Sequence, residues 1–349
     1  MSADGVNYGF VFDSDDPVAM SESVTRQDRR NSNCFYSRYN DDEFIKQFRN
    51  TPCVYGPRGV PLPHRSELSS LLKDSSRIKI MCFTWNINSR PIRSVESVHE
   101  LFHKIPLTGR PDVFAIALQE LPSMTLRFHA NMVNGIESGI TDTHQTFCWV
   151  RQWSQLLIVF MKKHLCLYCT RPEYQFVASS KVAKPFRTKG AIAICFRILQ
   201  RSFVFISCHF SHESIRHRIV EYQKVCAMLN FSTTLSPQSP KRGEHSILNA
   251  DYVFWFGDMN FRLSDRRDAD ELAETYGAQL FGQRKMFAKL LEDDELRRAQ
   301  MNGWAFERFQ EAEITFPPTY KYLIGSNKYS RKRIPSYTVC FKLPTILTF

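Results

Sequence analysis

From Arg77 onward the chain alternates between short apolar runs and polar breaks. Ile78–Ile87 (IKIMCFTWNI) and Val113–Leu118 (VFAIAL) read as strands. So do Leu156–Met161, Leu165–Tyr168, Ala191–Phe196 (AIAICF), Phe203–Cys208 (FVFISC) and Tyr252–Phe256 (YVFWF). Each is rich in β-branched and aromatic residues and bounded by turn or charged residues, the pattern of a buried strand. Helical spacing falls between them, over Val95–His103, Ser214–Leu229, Asp268–Tyr276 and Lys285–Met301. Strands interspersed with helices predict a mixed α/β (α+β) layered domain. Residues 1–75 differ. SADG, DSDD, RRNSN, NDDE and the turn-rich YGPRGVPLPHRSE carry weak apolar periodicity, so the expectation is a flexible leader and linker with a short helix near Asp42–Phe48. The Ser/Pro-rich stretch Ser232–Ser246 is expected to be a mobile loop.

Charge adds a question. Among 349 residues, 46 Lys and Arg stand against 35 Asp and Glu, a formal net charge of +11. Such a surplus favours an anionic partner (nucleic acid, an anionic membrane face or a phosphorylated ligand) without choosing among them. An apolar fraction of 43% and a charged fraction of 23% exclude collagen-like, coiled-coil and wholly disordered readings. No run of about 18 apolar residues is present, so no transmembrane helix is expected. The N-terminus, MSADGVNYGF, lacks the basic-then-apolar order of a secretory signal, and no acylation or prenylation motif is seen. Cys166 and Cys169 form a CxxC with no second pair to complete a zinc site. The cysteines therefore read as reduced, buried thiols of a cytoplasmic protein.

The candidate chemistry sits where strands stop. One apolar run ends Thr84-Trp85-Asn86, a second Gln119-Glu120, a third Cys208-His209, and a fourth Gly257-Asp258-Met259-Asn260. Strand ends in a layered sheet are where side chains from distant parts of a chain converge. A carboxylate with an amide oxygen suits Mg²⁺, which takes hard oxygen ligands. A His and a further Asp are suited to orient water and stabilise charge on a phosphoryl group. Taken singly, Glu120 reads as a solvated strand end, His209 as a satisfied core histidine, and Asp258–Asn260 as an ordinary Asx turn. Their joint placement at strand termini favours a functional group.

A second set is basic and aromatic. Phe316-Pro317-Pro318-Thr319-Tyr320-Lys321-Tyr322 places a Lys between two Tyr after a rigid Pro turn, and Arg262 lies two residues past Asn260. Lys181, Lys184, Arg187 and Lys189 precede AIAICF. Fixed cations of this kind suit phosphate binding. Lys189 and Lys321, at strand or turn boundaries, read as functional, whereas Arg331–Arg333 taken alone reads as a solvated face.

The strings FTWNIN (83–88), DVFAIALQE (112–120), TKGAIAICF (188–196), FISCHF (205–210), FWFGDMNFRL (254–263), FPPTYKY (316–322) and RIPSYT (333–338) resemble the inositol polyphosphate 5-phosphatases, in that family's order. FWFGDMNFRL followed by PPTYKY is the most specific pair. With KRIPSYT, it is most similar to the type that acts on membrane phosphoinositides and carries a long N-terminal extension. The resemblance implies a DNase I-like fold, two β-sheets packed face to face and flanked by helices, over residues 76–338. It implies Mg²⁺-dependent attack of water on the 5-phosphate of an inositol ring, in a phosphoinositide lipid or a soluble inositol polyphosphate. Carried over, Asn86 and Glu120 hold the metal. Asp258 positions or deprotonates the water, and Asn260 orients the water or the phosphate. His209 contacts the scissile phosphate, while Lys189, Arg262, Tyr320 and Lys321 engage headgroup phosphates. The surplus charge then favours peripheral attachment to an anionic membrane, and no nucleic acid is expected.

The resemblance stops at Thr338. The family continues with Asp-Arg and a later Ser-Asp-His motif, whereas this chain reads VCFKLPTILTF over 339–349. In the family the late His contacts the scissile phosphate, so the expectation is a divergent, truncated or replaced tail and impaired activity. An unpaired sheet edge is expected there, which the VCFKL run is placed to patch in part. The alternatives are a non-catalytic phosphoinositide-binding module or inactive isoform and, further off, a Mg²⁺-dependent nuclease of the same fold.

Overall fold

The computed structural model describes residues 7–8, 34–36 and 77–344, except 123, 180–188, 200, 232–233, 236–246, 265–283, 324–325 and 327. The expected helices at Asp42–Phe48 and Asp268–Tyr276, most of the expected loop at Ser232–Ser246, and the basic residues Lys181, Lys184 and Arg187 lie outside the described residues.

Two sheets of six strands each face one another. The first is built from β1 (Asn7–Tyr8), β2 (Cys34–Tyr36), β3 (Ile80–Asn86), β4 (Val113–Gln119), β5 (His144–Gln152) and β6 (Gln155–Lys162), in the order β1-β3-β4-β6-β5-β2. The second is built from β7 (Glu173–Ala178), β8 (Gly190–Ile198), β9 (Arg201–His209), β10 (Tyr252–Asp258), β11 (Phe309–Gln310) and β12 (Val339–Pro344), in the order β11-β12-β10-β9-β8-β7. Two neighbouring pairs are parallel, β3 with β4 and β9 with β10. Helices α1 (Pro91–Lys104) and α2 (Leu126–Glu137) pack on the first sheet. Helices α3 (Ile215–Met228) and α5 (Glu295–Met301) pack on the second, and α4 (Arg284–Leu290) leads into α5. This is the flanked two-sheet sandwich expected from the sequence.

Side-chain alternation divides the core into layers. Ile80, Cys82, Val113 and Ala115 face Ile192, Ile194, Phe205, Phe254 and Phe256 between the sheets. The opposite faces of the same strands send Phe83, Trp85, Phe114 and Ile116 against Phe102, Val133 and Ile136 of the first helix pair. Val204, Ile206 and Trp255 pack on Val225 and Leu296 of the second pair and on Leu229 just past α3. The strands are buried on both faces, so their sequences read as continuous apolar runs rather than alternating ones.

Two sequence expectations change, and a third observation fills out what the sequence left open. Leu165–Tyr168 is not a strand. Cys166–Tyr168 forms a 3₁₀ turn closed by Leu165 N–H on Lys162 O at 2.8 Å and Tyr168 N–H on Leu165 O at 2.9 Å. Its residues are apolar because Cys166 and Cys169 plug the end of the inter-sheet core. The expected helix over Lys285–Met301 is broken: Asp294 caps a new helix by accepting Arg297 N–H at 2.9 Å. The third concerns the ends of the chain. Within the expected leader, Asn7–Tyr8 and Cys34–Tyr36 are edge strands on β3 and β5. Residues Val339–Pro344 are strand β12, antiparallel to β10 with Asp258 opposite Val339, so the edge beside β10 is paired.

Candidate active site

The strand ends meet. Parallel pairing aligns Asn86 with Gln119 and His209 with Asp258, so each sheet presents two neighbouring C-terminal ends on one edge. Toward that edge the inward-facing positions change from apolar to polar: Cys82, Thr84, Asn86 along β3, and Phe205, Ser207, His209 along β9. Beneath the site a buried layer closes across the two sheets. Gln119 Nε2 donates to Thr84 Oγ1 at 3.1 Å and to Ser207 Oγ at 3.5 Å. Ser207 donates to Gln155 Oε1 at 3.4 Å, and Gln155 Nε2 donates to Gly190 O at 3.2 Å. Thr84, Gln119, Gln155 and Ser207 are all buried, and their polar groups satisfy one another.

On this floor stands a cavity of about 450 Å³ lined by Asn86, Glu120, Lys189, Asp258, Asn260, Arg262 and Tyr320, with His212, Lys332, Arg333 and Ser336 among the remaining lining residues. The volume suits a small-molecule ligand. Asn86 Nδ2 donates to Asp258 Oδ2 at 3.0 Å, joining the two sheets. Asn86 Oδ1 accepts Asn88 N–H at 3.1 Å and keeps a second lone pair. Glu120 adopts a left-handed backbone, φ 57°, held by Ser89 N–H on its carbonyl at 2.8 Å. A non-glycine residue in that conformation costs roughly 1–3 kcal/mol and is retained where the surroundings enforce it, commonly at functional sites.

His209 is 1% exposed and lies under the cavity. Its Nε2 is 3.7 Å from Glu120 Oε1 and 3.6 Å from Asp258 Oδ2, and it contacts Lys189 Nζ. Lys189 precedes β8, which runs antiparallel to β9 with Gly190 opposite His209, so the start of β8 joins the same edge. Burial pulls the Lys189 ammonium below its ordinary pKa. The carboxylates of Asp258, Glu120 and Glu221 oppose that pull, and Arg262 adds to it. Asn260, with φ 56°, donates N–H to Asp258 Oδ1 at 3.1 Å and Nδ2 to Phe210 O at 3.0 Å, while its Oδ1 accepts from Arg262. The Arg262 guanidinium stacks 4.2 Å above the Tyr320 ring.

The sequence-derived residues are therefore brought together with one exception. Lys321 is exposed, does not line the cavity, and its ammonium is 6.0 Å from the Tyr320 ring centre. In its place stand Lys332 and Arg333, read from sequence as a solvated face. They arrive because Tyr320 and Ser336 exchange backbone hydrogen bonds at 3.0 and 2.8 Å, folding residues 331–336 back along PPTYKY. Ser336 Oγ also accepts Leu263 N–H at 3.2 Å. His212 lines the cavity three positions past His209 and was not singled out in sequence.

The carboxylates of Glu120 and Asp258 and the amide of Asn86 line the same cavity, a set of oxygen donors that fits a hard divalent cation. Among the described residues no three His, Cys, Asp or Glu side chains cluster as a metal site, so a cation there would draw on Asn86 and on solvent or substrate oxygens. The lining also carries Arg262, Lys332 and Arg333, fixed cations that suit an anion.

The profile of endonuclease/exonuclease/phosphatase family 2 matches residues 83–339, well over half of the sequence. The chain belongs to this family, among its inositol polyphosphate 5-phosphatases. Phosphatidylinositol polyphosphate 5-phosphatase type IV of Rattus norvegicus is 33% identical over 187 residues, 52% of this chain and 28% of that one. Synaptojanin-2 of Homo sapiens is 26% identical over 314 residues, 78% of this chain and 19% of that one. The chain thus spans about a quarter of the length of these relatives. Among solved structures, the inositol polyphosphate 5-phosphatase domain of SpSynaptojanin, in complex with inositol (1,4)-bisphosphate and calcium ion, superimposes with a TM-score of 0.60. The match has 23% identity over 75% of each chain, a likeness of fold.

Proposed function

We propose that this domain hydrolyses the 5-phosphate of an inositol ring, in phosphoinositide lipids or soluble inositol polyphosphates, with Mg²⁺ as the divalent cation. The observation that carries the reading is one cavity lined both by Asn86, Glu120 and Asp258, with buried His209 against them, and by the cations Lys189, Arg262, Lys332 and Arg333. Phosphoryl transfer demands positioning and charge neutralisation more than covalent chemistry. Asp258 accepts the proton of the attacking water or fixes its orientation. Its own orientation is set by the Asn86 amide and the Asn260 N–H. His209 and Lys189 neutralise the phosphoryl group undergoing attack; the P–O bond to the ring breaks, the ring oxygen takes up a proton from solvent to become a hydroxyl, Asp258 returns its proton to solvent, and inorganic phosphate is released. Arg262 and Tyr320, with Lys332 and Arg333, hold the remaining phosphates. Asn86 and Glu120 would hold Mg²⁺, which would supply Lewis-acid stabilisation when bound. Lys321 contributes from outside the cavity as part of a basic surface toward an anionic membrane in the cytoplasm. No helix of the described residues is long and apolar enough to cross a bilayer, and peripheral association is the proposed mode.

A second reading, headgroup binding without turnover, is favoured by one observation. The strand paired to β10 beside Asp258, Val339–Pro344, brings no acidic or imidazole side chain to that edge. Phosphate release from inositol 1,4,5-trisphosphate, and from phosphatidylinositol 4,5-bisphosphate in vesicles, separates the readings when paired with binding isotherms. Mg²⁺-dependent release supports hydrolysis. Binding without release supports the second reading, and neither binding nor release by the folded protein overturns both.

A further inference from the structure

Behind the cavity wall a buried ion pair converges on one cavity residue. Arg218 of α3 is 1% exposed and its guanidinium donates to Glu295 Oε2. The same oxygen accepts the Arg262 backbone N–H at 2.9 Å. Glu295 N–H in turn donates to Arg262 O at 2.9 Å, and Ser264 N–H to Asp293 O at 2.8 Å. Arg262 is thus gripped on both sides of its backbone by one residue at the start of α5. Arg218 also reaches the loop after β9, with Nη1 3.4 Å from Ser211 O, and lies 5.2 Å over the Phe261 ring. The pair therefore spans the loop after β9, which carries His212, and the loop after β10, which carries Asn260 and Arg262.

We propose that Glu295 and Arg218 are positioning residues that fix Arg262 against Tyr320 and thereby set the affinity of the cavity for a phosphorylated ring. Neither side chain lines the cavity, so each acts through Arg262. A buried ion pair contributes little net stability compared with apolar packing, whereas removing one partner leaves the other charge uncompensated. Here the pair's geometry is spent on orienting a single guanidinium. The inference rests on the proposed phosphate-binding role of Arg262.

The test is a double-mutant cycle read by titration calorimetry with inositol 1,4-bisphosphate in Mg²⁺, on the parent chain, Glu295→Ala, Arg262→Ala and the double variant. Loss of a hydrogen bond to a charged group predicts binding roughly tenfold weaker for Glu295→Ala in the parent background. In the Arg262→Ala background the same change costs no more than about twofold. Glu295→Gln recovers part of the affinity because its amide oxygen still accepts from Arg262 N–H. Equal losses in both backgrounds, or no loss in the parent, overturn the proposal. If Glu295→Ala does not fold, Glu295→Gln carries the same cycle. Hydrogen exchange of the Arg262 amide needs no ligand and should accelerate in Glu295→Ala, and less in Glu295→Gln, which keeps an acceptor; unchanged exchange in Glu295→Ala also overturns the clamp. A parent chain that binds no inositol phosphate overturns the proposed function instead, and the exchange measurement still decides whether Glu295 holds Arg262.

Discussion

Gly257 offers the sharpest link between fold and site. It sits in β10 next to Asp258, opposite Cys208 in the parallel ladder with β9, with φ +130°. A Cβ built there lies 2.2 Å from Cys208 O and 2.7 Å from Cys208 N, both backbone atoms that cannot swing aside. Gly257→Ala must therefore separate the strands by roughly 1 Å or distort both backbones. The unfavourable φ costs roughly 1–3 kcal/mol and the overpacking a similar amount, so about 4 kcal/mol in total is expected. For a chain of this size that lowers the melting temperature by about 5 °C. The next rung of the ladder pairs His209 with Asp258, whose side chains stand 3.6 Å apart. A displacement of about 1 Å at that rung should cost on the order of 100-fold in phosphate release. Gly109→Ala is the control: nothing lies within 4 Å of its Cβ, and a change within about 0.5 kcal/mol is expected. Thermal unfolding and phosphate release are measured side by side. A Gly257→Ala variant melting within about 2 °C of the parent would refute the packing argument.

Three further outcomes follow from the same geometry. Asp258→Asn should lower phosphate release about 10²–10⁴-fold while the protein stays folded by circular dichroism, and undiminished release excludes Asp258 as the group that handles the water's proton. Chelation of divalent ions should abolish release and Mg²⁺ restore it. Mg²⁺ should raise the melting temperature of the parent but not of Glu120→Ala, and an equal rise in both argues against Glu120 as a ligand. Burial pushes the Asp294 carboxyl up to about 7, with the Glu311 carboxylate adding to the rise and the Arg297 amide and Lys342 opposing it. Its protonated form is favoured by the fold, so this contribution is fully present below the unfolded value near 4 and is lost as pH rises through about 7. The melting temperature of the parent should thus fall between pH 5 and pH 8 relative to Asp294→Asn; parallel profiles would show that Asp294 does not titrate there.

What the sequence disclosed depends on whether burial was one-sided. β3, β4, β6, β8, β9 and β10 are buried on both faces and stand out as apolar runs. β7 (EYQFVA) is half-buried and β5 (HQTFCWVRQ) buries its polar residues, so neither gave that signal. Helix α2 carries no clear apolar run, although Thr125 caps it by accepting Phe128 N–H at 3.2 Å. At the site, Asn86, Glu120, His209, Asp258 and Asn260 were legible because a polar residue closing an apolar run is conspicuous. Gln155 was not, since it opens β6 and gains its meaning only across the sandwich, from Ser207. Lys332 and Arg333 are exposed, as a solvated face predicts, and their place at the cavity is not legible in sequence because it depends on the Tyr320–Ser336 pairing, a long-range contact without periodic signature.

The topology explains why these residues form one site rather than two. In an antiparallel pair, neighbouring strands deliver their C-terminal ends to opposite edges; only a parallel pair delivers both to the same edge. Each sheet is antiparallel among its named strand pairs except at one place, β3 with β4 in the first and β9 with β10 in the second. Those are the places that present Asn86 and Glu120, and His209 and Asp258. The Asn86–Asp258 hydrogen bond at 3.0 Å then joins the two edges across the sandwich. A one-residue slip of either parallel pair would turn its inward residue to the helix-covered face and dismantle half the site. Register is defended by packing on both faces of these strands and by Gly257, where no larger residue fits. The surplus of +11 is a weaker clue than this geometry: it is compatible with any anionic partner, and Arg262, Lys332 and Arg333 acquire a ligand-sized target only because the two parallel edges close a cavity beneath them.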